Sequence, residues 1–131
     1  MKKKKIYIFG NKLLDIDNLP QKITPDLKKL FPKIDFILKD PNENLKPENK
    51  ELIMIDTVAN VKRVIVINDI EKIKTSKIYS AHDFDLAFNI KLLKKIGKLN
   101  KITIFGIPQG IKKQEALLQL VPKIKEYLKS N

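Results

Sequence analysis

Lys5-Ile-Tyr-Ile-Phe-Gly-Asn-Lys-Leu-Leu-Asp-Ile-Asp-Asn-Leu-Pro20 is the stretch whose pattern decides the fold. Ile6 to Phe9 form an unbroken apolar run that stops at Gly10-Asn11, the pattern of a fully buried central strand closed by a tight turn. Asp15 and Asp17 follow the turn, and then apolar residues recur at Leu19, Ile23, Leu27, Leu30 and Phe31 with helical spacing. The two carboxylates therefore stand between the carboxyl end of a strand and a helix. In open α/β sheets that is where ligands bind.

Outward from this stretch, the helix pattern covers residues 18 to 31, with Asp17 or Asn18 as N-cap and Pro32 as its stop. Pro25 leaves two options, a helix that begins at Thr24-Pro25 or one that kinks there. Ile34, Phe36 and Leu38 alternate as in a half-buried strand, and residues 40 to 50 read as a loop. Leu52-Ile-Met-Ile55, closed by Asp56, is a second central strand. Val64 to Ile67 follows too soon for a helical crossover, so an antiparallel hairpin with the preceding strand is expected. Residues 77 to 80 offer a further short strand. Asp83 or Asp85 caps a helix that stops at Gly97 and is apolar around most of its circumference, which predicts burial on two sides. Ile102 to Ile107 is the last strand. The final helix carries Leu117, Leu120, Val121, Ile124 and Leu128 on one face, with Pro122 predicting a kink or two short pieces. The order β-α-β-β-β-α-β-α predicts a three-layer α/β/α sandwich on a mostly parallel five-stranded sheet.

The 131 residues are expected to form a single domain, and 43% apolar content argues against disorder. No apolar run is long enough for a membrane span, and Lys2 to Lys5 lead into a short strand, so a soluble, cytoplasmic monomer is expected. The absence of cysteine excludes disulfides, thiolate metal sites and cysteine nucleophiles. Lysine and arginine number 27 against 15 acids, a net charge of +12 that on its own points to an anionic partner such as nucleic acid. Only Arg63 is arginine, however, and the lysines are spread over nearly every segment, which argues against a dedicated nucleic-acid reader.

The opening stretch resembles the N-terminal signature of the hydrogenase maturation proteases, endopeptidases that trim the C-terminal tail of nickel-iron hydrogenase large subunits. Gly10, Asn11, Leu13, Leu14 and Asp17 stand at matching places, whereas Ile16 replaces an acid and Pro20 a glycine. The likeness continues at Ile55-Asp56, at Ser80-Ala-His82 before a long helix, and at Phe105-Gly106-Ile107. It implies a metal site formed by Asp17, Asp56 and His82, and a sheet of strand order 2-1-3-5-4 with the fourth strand antiparallel. In that order the connector from Thr57 to Lys62 spans two strand spacings, about 10 Å, within a reach of roughly 20 Å. Both this arrangement and the hairpin are sterically open.

One imidazole and two carboxylates suit nickel, zinc or cadmium with positions left for other ligands. The resemblance implies that nickel arrives on the hydrogenase large-subunit precursor, is touched from outside by these side chains, and that Asp17 or Asp56 serves as base for a water. Each residue also has a structural reading: Asp17 as a helix cap, Asp56 as a loop cap, His82 as a core or capping group. Asp15 reads as a solvated turn residue, or as a substitute for the acid missing at Ile16. A nucleophilic triad from Ser80, His82 and Asp83 or Asp85 lacks a nucleophile elbow. The altered motif leaves room for a non-catalytic binding module of the same fold that recognises a metalloprotein precursor.

Overall fold

The computed structural model describes residues 4–9, 19–39, 45–69 and 84–130. They form β1 (Lys4–Phe9), α1 (Leu19–Leu30), β2 (Ile34–Lys39), β3 (Glu51–Val58), β4 (Ile65–Ile67), α2 (Phe84–Lys95), β5 (Lys101–Pro108) and α3 (Lys113–Ser130). The five strands make one sheet in the order β2-β1-β3-β5-β4, parallel except for β4. This is the expected strand order. The hairpin is not formed: β4 runs antiparallel but pairs with β5, and Val64 N–H donates to Gln119 Oε1 of α3 at 2.8 Å, anchoring the connector on the far side of β5. The strand anticipated at residues 77 to 80 lies outside the described residues.

Pleat alternation divides the core into two layers. Ile6, Ile8, Ile53, Ile55, Phe105 and Ile107 face α1 and α3, whereas Tyr7, Phe9, Leu52, Met54, Ile102 and Ile104 face α2. Strands buried on both faces need continuous apolar sequence, which is why the runs in β1, β3 and β5 do not alternate. On α1, Ile23 and Leu27 are buried, and on α3, Ala116, Leu120 and Ile124 repeat every fourth residue with no exposure. Each buried leucine or isoleucine contributes roughly 1.5–3 kcal/mol. Lys113 of α3 also pairs with Asp26 of α1 at 3.0 Å.

Both interior prolines are accommodated. α1 runs through Pro25 as one helix, and the Thr24 hydroxyl donates to the Pro20 carbonyl at 2.8 Å. α3 is likewise one helix through Pro122, not two pieces. Pro25 and Pro122 both lie on exposed helix faces, where water can reach the carbonyls that lose their N–H donor. α2 departs from expectation more. Ile90 is buried in the layer it forms with the sheet, Leu45 and Leu99, but Phe88, Leu92 and Ile96 are 57%, 46% and 55% exposed, so among the described residues this helix is covered on one side. Leu30 is also exposed at the end of α1. Gly97 ends the helical path at φ 78°, with Lys98 N–H on Leu93 O at 2.9 Å and Gly97 N–H on Lys94 O at 3.1 Å, a Schellman closure.

Candidate functional site

The chain leaves β1 toward α1 and β2 on one side, while β3 lies on the other, so the carboxyl ends of β1 and β3 flank the point where the winding reverses. Ile8 lies opposite Ile55, which places Asp56 beside the end of β1. β3 does not stop at Asp56 but continues through Thr57 and Val58. Asp56 is therefore a strand residue, only 3% exposed. Its Oδ1 accepts the Thr57 backbone N–H at 2.8 Å, which fixes the carboxylate plane.

The alternation along β3 directs Asp56 to the α2 side and Thr57 to the α1 and α3 side. Thr57 is buried, and its Oγ1 has no hydrogen-bond partner among the described residues. A hydroxyl enclosed in this way costs about 1–3 kcal/mol. Opposite Asp56 in register is Gly106 of β5. A Cβ at Gly106 would lie 2.9 and 3.0 Å from the two Val58 methyls and 3.1 Å from Ile65 Cγ1. The missing side chain is thus what lets Val58 and Ile65 close over this end of the sheet.

Both helices that lead into this region begin at the same edge. α1 returns the chain from β1 to the parallel β2, and α2 is followed by Asn100 and Lys101, whose N–H groups donate to Lys50 O at 2.8 and 3.1 Å at the amino edge of β3. α1 and α2 therefore start near the carboxyl edge, where Asp56 is. Asp17 and His82 each precede a helix by two positions in sequence, and both lie outside the described residues. Of the three implied ligands, Asp56 is the one whose place is defined. Asp15 and Ser80 also fall outside.

Sequence reasoning did not single out Thr57, and it named Gly106 only within the likeness at Phe105-Gly106-Ile107, not as a close approach. Gly106 carried a signal, since glycine inside an apolar strand run marks a close approach. Thr57 carried none, because a lone threonine after an acid is common in loops.

The opposite edge holds the other polar structure. Pairing between β1 and β3 is confined to Tyr7 with Met54 and Ile8 with Ile55. Below it the strands part around an open cleft of about 270 Å³ lined by Lys4, Lys5, Lys46, Glu48 and Glu51. Among its groups, Lys5 pairs with Glu48 at 2.7 Å, and Glu51 Oε2 accepts the Tyr127 O–H at 2.6 Å. Burial, and then the bond to Glu51, push the Tyr127 phenol well above its ordinary range. These contacts brace the end of α3 against β3.

The fold is shared with solved endopeptidases. The hydrogenase maturating endopeptidase HybD from E. coli is similar with a TM-score of 0.66 over 97% of this chain and 91% of that one, at 18% identity. A solution structure of an endopeptidase from Escherichia coli gives 0.64 over 94% and 93%, at 20% identity. A crystal structure of an uncharacterized protein from Wolinella succinogenes gives 0.56 over 95% and 96%, at 12% identity. No family model matches the sequence, and no curated protein matches it either. At these identities the likeness is one of fold.

Proposed function

We propose that this chain is an endopeptidase of the hydrogenase maturation type, removing the C-terminal extension of a nickel-iron hydrogenase large-subunit precursor after nickel insertion. The observation that carries the reading is Asp56: a buried carboxylate, oriented by a backbone amide, at the winding reversal of a fold shared with endopeptidases. The starts of α1 and α2 at that edge support bringing Asp17 and His82 to it.

In this reading the substrate carries the nickel, and Asp17, Asp56 and His82 touch it from outside. Two oxygens and an imidazole nitrogen suit nickel, and zinc or cadmium would fit the same donors. Asp17 or Asp56 takes a proton from the attacking water, and the leaving amide nitrogen receives one as the peptide bond breaks. The fixed plane of Asp56 favours this by holding the base in one orientation.

Incubation with nickel-loaded precursor should release a short C-terminal peptide, while the Asp56→Asn, Asp17→Asn and His82→Ala proteins should release none. Full cleavage by the variants would overturn the chemistry. Ile16 and Pro20, which depart from the resembled signature, favour a second reading as a binding module of the same fold. A stable complex with the precursor and no cleavage would select it.

A further inference from the structure

We infer that the outer face of α2 is a docking surface for an acidic, amphipathic helix of a partner protein. Phe88, Leu92 and Ile96 lie four residues apart, so at 100° per residue they form one stripe about 12 Å long. The stripe is turned away from the buried Ile90. Ile96 extends it past α2, since its N–H still donates to Leu92 O at 3.0 Å. Three large apolar side chains in a row on a helix, each about half exposed, are not the scattered apolar residues of an ordinary surface.

Charge decides what fits there. Lys91 and Lys95 fall on one flank of the stripe and Lys98 follows the helix, and after Asp85 in the first turn of α2 the sequence contains no acid up to residue 114. A second copy of the chain would bring a like net charge of +12 up to this lysine-flanked face. A lipid surface would draw on lysines along both sides of the stripe, but the other flank carries Asn89 and the core-packed Leu93. A rod-like partner lying alongside, with leucines on the stripe and carboxylates toward Lys91 and Lys95, satisfies both features.

The test uses the full chain, ¹⁵N-labelled, titrated with a synthetic amphipathic helix bearing leucines on one face and glutamates along one flank. Expected are amide shifts confined to α2 and its C-terminal turn, and affinity lowered by salt. Lys91→Glu with Lys95→Glu should weaken binding roughly tenfold. Leu92→Ser should weaken it at least as much while lowering Tm by only a few degrees, about as much as the similarly half-exposed Ile96→Ser off the helix proper, since Leu92 is 46% exposed. Equal binding of the peptide with lysines in place of glutamates, or shifts elsewhere than α2, would overturn the inference. So would preferential binding to phosphatidylserine vesicles, or dimerisation in sedimentation that Leu92→Ser abolishes.

Discussion

Adding one methyl group at Gly106 tests the packing at the carboxyl edge directly. The new carbon would meet both Val58 methyls at 2.9 and 3.0 Å and Ile65 Cγ1 at 3.1 Å, distances that require movement. Val58 is 1% exposed and β-branched, so it has neither space nor rotamer freedom to yield. Overpacking of this kind costs about 1–3 kcal/mol. Replacing glycine by alanine regains about 0.4–1 kcal/mol by restricting the unfolded chain. Gly106→Ala should therefore destabilise by about 1–2 kcal/mol, or roughly 4–8 °C in Tm for a chain of this size. Urea denaturation of a double-mutant cycle with Val58→Ala isolates the cause. Removing the two Val58 methyls should cost the wild-type chain a cavity but cost the Gly106→Ala chain much less, giving a coupling of 1 kcal/mol or more. Additive effects, or an unchanged midpoint for Gly106→Ala, would refute the close approach. Because Gly106 is the register partner of Asp56, the same substitution should also lower any activity that depends on that carboxylate.

Three other outcomes are expected. Thr57→Val replaces a buried hydroxyl that has no partner among the described residues by a methyl and should raise stability by about 1 kcal/mol in urea titrations; a loss of that size would show that the hydroxyl is bonded. The Tyr127 phenol is held protonated above its ordinary value of 10.0, so its contribution is complete below that pH and is lost as pH rises toward the higher folded value. Thermal melts should fall on the alkaline side of pH 10, and Tyr127→Phe should flatten that fall while lowering stability at neutral pH. Asn49 and Lys50 have φ of 52° and 60°, and Glu48 and Glu51 exchange both backbone hydrogen bonds, which makes a type I′ turn with lysine where glycine is favoured. Lys50→Gly should stabilise by a few tenths to about 1 kcal/mol, measured as a shift in urea midpoint.

Residues buried on both sides were the legible part of the chain. β1, β3 and β5 announce themselves as apolar runs, and Gly97 marks the end of α2, because continuous burial and a left-handed turn each restrict residue type severely. The partner of β4 was not legible from pattern: Ile65 to Ile67 is equally apolar whether it lies beside β3 or β5, and the deciding contact, Val64 with Gln119, joins residues far apart in sequence. The exposed face of α2 was misread for a related reason. Phe88 and Leu92 have the composition of core residues, and composition does not state whether a second layer exists to cover them. At the candidate site, an acid closing an apolar run pointed to Asp56. That β3 continues two residues further, burying the acid, depends on the paired extension of β5 to Pro108.

The insertion of β5 between β3 and β4 also sets an order of events during synthesis. While residues 65 to 67 leave the ribosome, the strand they must join has not been made. Val64 and Ile67, buried in the finished protein, wait as open hydrophobic surface until residues 101 to 108 arrive. Residues 101 to 108 thus join β4 to the β2-β1-β3 strands made before them.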